Sequence, residues 1–139
     1  MIADLHAHPA KYKDIDATLD MLCSPGLVGL AFAHCMADKV LTYEEVLMKF
    51  FPLIDEIDKN ALARIRSLHG IGYFTKTQEL DCWPHHILAI GFEGPYLPDY
   101  IDARKAVEEI HKRKGIAISN HPYTTPDKGA KVIKYRYIT

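Results

Sequence analysis

The stretch Ile2-Ala3-Asp4-Leu5-His6-Ala7-His8 opens the chain as a short apolar run that ends in two histidines one residue apart. Side chains alternate between the two faces of a β-strand, so residues two positions apart point to the same side. Two imidazoles placed in this way can bind one metal ion. The opening stretch therefore predicts a β-strand that carries half of a metal site.

Length and charge indicate one domain without an extreme composition. The chain has 139 residues and a formal net charge of −1, from 17 basic and 18 acidic side chains. This balance does not favour a nucleic-acid-binding surface. The sequence contains neither a signal-peptide pattern nor an apolar run long enough to span a membrane. We therefore expect a soluble protein that has no membrane partner, and the sequence gives no strong signal for nucleic-acid binding.

The cysteines indicate a reducing compartment. The chain has an odd number of cysteines, namely Cys23, Cys35 and Cys82, and no two of them form a Cys-x-x-Cys pair. A disulfide framework needs an even set, and a zinc ribbon needs closely spaced pairs. The sequence thus argues against both and predicts a cytoplasmic location.

Apolar runs alternate with helical stretches along the chain, which is typical of β-α units and a largely parallel sheet. The predicted strands lie near residues 2–6, 27–34, 71–75, 86–92, 115–120 and 131–138. The predicted helices lie over residues 16–23, 42–51, 53–70 and 101–114. The second of these begins with a capping box, Thr42 followed by Glu45. The pattern predicts a single α/β domain with about six largely parallel strands.

Metal-binding residue types fall at the ends of these apolar runs. In chain order they are His6 and His8, His34, Glu79, His85 and His86, and His121. In α/β barrels the residues that follow several strands converge at one end of the barrel and form the site there. The spacing therefore predicts that these side chains meet in one metal centre.

Three blocks of the sequence match known motifs. Asp4-Leu5-His6-Ala7-His8 matches D-L-H-x-H, and residues 115–122, Gly-Ile-Ala-Ile-Ser-Asn-His-Pro, match G-x-A-x-x-x-H-P. Between them, Gln78-Glu79-Leu80 is followed by residues 86–91, which match H-h-L-h-h-G. In this order the blocks resemble the polymerase and histidinol phosphatase (PHP) family of metal-dependent phosphoesterases. The resemblance spans about residues 2–126.

The resemblance implies a fold and a site. The fold would be an incomplete or distorted (β/α)7-type barrel, short of the roughly 200 residues usual for an eight-stranded barrel. His6, His8, Glu79 and His121 would bind two or three divalent ions, zinc, manganese or iron, with His86 as a further ligand or a phosphate contact. Water activated by the metal would be the nucleophile. The substrate would be a phosphomonoester or phosphodiester, such as a phosphorylated small molecule or a nucleotide; its binding residues are not assigned.

The second block of the family, G-L-x-x-h-A-h-T-D-H, is altered in this chain. Residues 26–35 place His34 one position early and Cys35 where the family has histidine. We favour His34 as the ligand, because a thiolate among nitrogen and oxygen ligands would select a softer metal. Asp14 is a candidate for the acidic residue that follows the opening motif. His85 is an alternative to its neighbour His86.

The late D-x-H of the family has no counterpart after His121. The chain is thus expected to be a fragment, a shortened member, or a protein whose site is completed by another subunit of a homo-oligomer. Two further interpretations stay open. One is a degenerate PHP-like barrel that binds metal, ligand or partner without catalysis, and the other is a TatD-like or amidohydrolase-like metal hydrolase.

Overall fold

The computed structural model describes residues 2–58, 61–82 and 85–120, the side chain of His85 excepted. This part of the chain contains seven β-strands and three α-helices. The strands are β1 (Ile2–Ala7), β2 (Gly26–Phe32), β3 (Ile54–Asp58), β4 (Leu62–Ser67), β5 (Gly70–Cys82), β6 (His85–Ile90) and β7 (Ile116–Asn120). The helices are α1 (Ile15–Cys23), α2 (Tyr43–Lys49) and α3 (Ala103–Lys112).

All seven strands belong to one mixed sheet organised around β5. On one edge, β5 pairs in parallel with β2, which pairs in parallel with β1. On the other edge, residues 70–75 of β5 pair with β4, and residues 77–82 pair with β6; both pairings are antiparallel. Strand β3 continues beyond β4, and β7 beyond β6. Because β5 has 13 residues, it has room for two strands along one edge, and the sheet curls into a half-barrel.

The prediction of a largely parallel (β/α)7-type barrel is wrong. Among the described strands only the β1–β2 and β2–β5 pairs are parallel, and the fold is mostly β. Parallel neighbours need a crossover of a dozen or more residues. Only three residues separate β3 from β4 in the sequence, and only two separate β4 from β5. These connections allow antiparallel pairing alone.

The helix predicted over residues 53–70 is also wrong, since this segment forms β3 and β4. Ala63 and Ile65 are buried against the helices, while Arg64 and Arg66 alternate with them and bind Asp55 across the strand pair. This is the two-residue period of a strand. The leucines and isoleucines in the segment have mixed spacing, which is also compatible with the apolar face of a helix.

The other predicted helices are confirmed with small changes in their bounds. Asp14 caps α1, and Thr42 and Glu45 form the expected capping box at the start of α2. Helix α3 is shorter at both ends than residues 101–114. The strands expected near 2–6, 27–34, 86–92 and 115–120 are confirmed, and the one at 71–75 is part of the longer β5. The strand expected at 131–138 lies outside the described residues.

One face of the sheet is covered by the helices. Phe74 of β5 is fully buried with residues of α1 and α2, and Leu80, further along the same strand, is fully buried with residues of α3. Burial of each such side chain stabilises the fold by about 1.5–3 kcal/mol. Since side chains alternate, Glu79 of β5 points to the opposite, concave face. Within the described ranges, no helix combines the length and apolar content required to cross a membrane.

A buried cation holds the loop after β6 against the same helical face. The Lys76 ammonium is 5% exposed and donates hydrogen bonds to Glu44 Oε1 at 2.8 Å and to the Gly94 carbonyl at 2.6 Å. It also lies 4.5 Å from the centre of the Tyr96 ring. These contacts neutralise the charge and join β5, α2 and the loop. Lys76 therefore has a structural role.

We predict a pH-dependent contribution to stability from His69, in the turn between β4 and β5. Its Nε2 donates to Asp16 Oδ1 of α1 at 2.7 Å, and this bond is the main cause that raises the pKa of His69. A raised pKa in the folded state means that the stabilisation is complete below the unfolded histidine value of about 6.5 and is lost as pH rises through the folded value. His69→Gln should thus lower the melting temperature more at about pH 5.5 than at about pH 8.5.

The comparison needs thermal melts of wild type and variant at both pH values, with and without added salt. Because the pair is exposed, salt should reduce the difference at the lower pH. His111→Gln, on the exposed side of α3, is the matched control. A His69→Gln effect that is equal at both pH values would contradict the prediction.

Candidate metal centre

His6 and His8 come from the end of β1, where the strand is irregular. Asp4 pairs with Val28 and Ala7 pairs with Leu30, so β1 takes three steps where β2 takes two. The extra residue makes a bulge-like irregularity, and such irregularities bend a strand and redirect its side chains. The predicted opening strand is thus confirmed, with a local distortion at the residues that lead into the two histidines.

A glycine on the neighbouring strand makes room for this distortion. A Cβ atom placed on Gly29 of β2 would collide with the backbone carbonyl of Leu5 and would lie 2.7 Å from Thr77 Oγ1. Glycine is used where two backbones approach closely. Our sequence interpretation missed this residue, and the signal for it was a glycine inside an otherwise apolar strand.

Glu79 of β5 brings its carboxylate to both histidines. Its Oε2 lies 3.1 Å from His6 Nε2 and 3.5 Å from His8 Nε2, and its side chain is 15% exposed. One ligand atom from each of the three residues lies within 4.8 Å of the others. Ligand atoms of a tetrahedral zinc ion are separated by about 3.3 Å, given bonds of 2.0–2.1 Å. Donor atoms at these separations could hold a single ion after moving closer together.

The orientation of His8 suits metal binding. Its Nδ1 donates to the Ala31 carbonyl at 2.8 Å, which in the neutral ring leaves the lone pair on Nε2, the atom that faces Glu79. Metal-binding histidines usually have such a partner on the other ring nitrogen. The pKa of His8 is raised, mainly by its hydrogen bond with Glu79, while partial burial opposes the shift. A dipositive ion at this position would replace the proton.

The other oxygen of the Glu79 carboxylate contacts a different pair of residues. Glu79 Oε1 lies 3.1 Å from His86 Nδ1 and accepts a hydrogen bond from Asn120 Nδ2 at 2.8 Å. His86 and Asn120 come from β6 and β7 and are paired directly in the register of these strands. His86, a predicted ligand or phosphate contact, therefore contacts the Glu79 carboxylate and lies next to the group of His6, His8 and Glu79.

The two candidates from the altered second block lie elsewhere. His34 is in a 3₁₀ turn after β2, and its Nε2 lies 3.0 Å from the Leu97 carbonyl. Gln78 donates to the same carbonyl at 2.7 Å. The side chain of Gln78 points to the face of β5 opposite Glu79. Cys35, in the same turn, is exposed. In the described structure neither residue belongs to the group of His6, His8 and Glu79.

Of the remaining candidate ligands, one has a structural role and two lie outside the part of the chain that the structure describes. Asp14 Oδ1 accepts a hydrogen bond from the Ala17 backbone at 2.7 Å and caps α1. His121 and the side chain of His85 are outside the described residues. Their expected roles as ligands stay predictions.

Comparisons of the chain with protein-family models, with curated proteins and with solved structures gave no match. The resemblance to the PHP family thus rests on the sequence motifs alone. Any functional interpretation depends on those motifs together with the geometry of the His6–His8–Glu79 group.

Proposed function

We propose that the chain is a metal-dependent hydrolase of phosphomonoesters or phosphodiesters and that His6, His8 and Glu79 bind its ion. The observation that carries this proposal is the convergence of three ligand atoms, from two histidines and one carboxylate, within 4.8 Å on the concave face of the sheet. Phosphoester substrates are proposed from the PHP-like motifs. The substrate is then a phosphorylated small molecule or a nucleotide.

The donor set suits the expected metals. Two histidines with one glutamate are a recurring ligand set of catalytic zinc, and two histidines with one carboxylate also bind ferrous iron. A metal here would supply a Lewis acid that polarises the phosphoryl group and makes water a better nucleophile. The described ligand atoms form a group for one ion; the second and third ions that the motifs imply stay predictions.

The residues of the chain have separate tasks in this proposal. Glu79 contributes the negative charge that partly offsets the ion, and the Ala31 carbonyl holds His8 in the orientation that exposes Nε2. Three protein ligands would be fewer than zinc or iron accepts, so a bound ion would leave room for water or a substrate oxygen. The concave face gives the substrate access, because His6 and His8 are both only partly buried.

The decisive experiment is metal analysis of purified protein after zinc or manganese loading and desalting. We expect at least about one ion per chain in wild type and less than about a tenth in His6→Ala/His8→Ala, since two of the three ligands are lost. His111→Ala removes an exposed histidine outside the group and should leave the metal content unchanged. Wild-type protein without bound metal would contradict the proposal.

Hydrolysis is tested separately with a set of phosphomonoesters and phosphodiesters. We expect turnover that depends on added metal and is absent in the double variant. A second candidate is metal binding without catalysis, which is favoured by the departure of the mixed half-barrel from the predicted barrel. Tight metal binding with no turnover of any tested ester would support that second candidate over the phosphoesterase.

A further inference from the structure

The Glu79 carboxylate is divided between two sets of partners. Oε2 faces His6 and His8, whereas Oε1 contacts His86 Nδ1 at 3.1 Å and Asn120 Nδ2 at 2.8 Å. A carboxylate has two equivalent oxygens and a terminal torsion that rotates broadly. Other contacts of the carboxylate must therefore fix which oxygen faces the histidines and whether both oxygens can reach an ion.

Asn120 has a side chain that can fix the orientation of the Glu79 carboxylate. Its amide nitrogen can only donate and an ionised carboxylate can only accept, so their bond holds Oε1 on the β7 side of the site. Hydrogen bonds to a charged acceptor are also stronger than neutral ones. The register of the sheet supports this role, because Asn120 lies directly opposite His86 and both side chains reach the same oxygen. Three adjacent strands, β5, β6 and β7, thereby fix one carboxylate.

We propose that Asn120 is a positioning residue that, together with His86, retains Oε1 so that Glu79 binds the ion through Oε2 alone. This inference rests on the proposed metal site. Binding through one oxygen keeps the number of protein ligands in the group at three. If Oε1 were released, Glu79 would chelate the ion with both oxygens and occupy a position otherwise open to water or substrate.

Cobalt(II) tests this proposal, because it replaces zinc and its visible absorption reports the coordination number. Four-coordinate cobalt absorbs much more strongly than five- or six-coordinate cobalt. The variant is Asn120→Leu, which keeps a similar volume and removes the donor. We expect the absorbance per bound ion to decrease, because chelation by both oxygens raises the coordination number. We expect cobalt affinity to fall by about 10- to 100-fold, as for other residues that orient metal ligands, because the carboxylate is no longer held in a fixed position.

Ser119→Ala is the matched control, because Ser119 is exposed and lies next to Asn120 on the same strand but on the other face. Its affinity and spectrum should equal those of wild type. If Asn120→Leu does not fold, as judged by circular dichroism, Asn120→Ala is measured instead. A purely structural role for Asn120 would reduce the amount of folded protein without altering the spectrum of the bound ion.

The outcomes separate this inference from the proposed function. Wild-type protein that takes up no cobalt or zinc would overturn the metal site itself. Wild-type protein that binds cobalt, with an Asn120 variant of unchanged affinity and spectrum, would overturn only the positioning role. Reduced affinity together with weaker absorption per bound ion would support it.

Discussion

Glu79→Gln is expected to lower the affinity of the chain for zinc by more than about 100-fold, beyond the 10- to 100-fold typical of residues that only support a ligand. Glu79 supplies the carboxylate of the His6–His8–Glu79 group. Glutamine keeps the shape but removes the negative charge, and a neutral amide oxygen is a weaker ligand for zinc. The amide also has only one acceptor atom, so it cannot accept hydrogen bonds on both of its sides.

The fold should survive this substitution. Glu79 lies on the concave face, and its side chain is not part of the apolar clusters under the helices. The substitution leaves one hydrogen-bond donor beside position 79 without an acceptor, and this costs about 1–3 kcal/mol at most. Zinc affinity is measured by competition with a chelator of known strength, and stability is measured by thermal melting of the metal-free protein.

Asp81→Asn is the matched control for Glu79→Gln. Asp81 lies two residues further along β5 on the same face, is 44% exposed, and contacts His86 Nε2 at 3.8 Å. It lies outside the group of three, so its loss should change zinc affinity only a few-fold. An equal loss in the two variants would show that Asp81 contributes as much as Glu79 to zinc binding and would contradict a site of His6, His8 and Glu79 alone.

Gly29→Ala is the second large expected effect, and it should impair stability and metal binding together. The new methyl group would collide with the Leu5 carbonyl and would lie 2.7 Å from Thr77 Oγ1. A backbone carbonyl cannot rotate away like a flexible side chain, so β1 must shift. Overpacking of this kind costs about 1–3 kcal/mol, occasionally more. Because Leu5 directly precedes His6, the same shift displaces a proposed ligand, and we expect zinc affinity to fall at least about 10-fold.

Gly72→Ala distinguishes a local effect on the site from general destabilisation. A methyl group at Gly72 of β5 would collide with the Leu22 carbonyl at the end of α1. Gly72 and Glu79 are seven residue steps apart along the strand, which corresponds to about 23 Å. We therefore expect reduced stability but unchanged zinc affinity of the folded fraction. Equal affinity in the Gly29→Ala and Gly72→Ala proteins would show that the β1 distortion does not position the histidines.

Much of the local structure could be predicted because it depends on short-range patterns. The apolar run before His6 is a strand, and the Thr42–Glu45 capping box opens a helix as expected. Glu79 could be chosen only through its order among the matched blocks. The structure brings it to His6, 73 residues away in the sequence.

The errors concern strand direction and the segment after α2. Strands β3 and β4 are held by ion pairs between Asp55 and two arginines and by the burial of Ala63 and Ile65. Such cross-strand contacts exist only once the strands are paired, so a helical interpretation of the same apolar residues was possible. The antiparallel pairing follows from turn lengths, which depend on where each strand ends.

The residue types of the candidate centre, two histidines at strand spacing and a later glutamate, could be chosen without a structure, because side-chain chemistry and the two-residue period are local properties. Which candidates come together depends on the folded arrangement of the strands. The order β1-β2-β5-β6 places Glu79 within reach of His6, His8 and His86, whereas His34 contacts the Leu97 carbonyl. Distances between residues far apart in the chain depend on strand order and sheet curvature, and these result from packing of the whole domain.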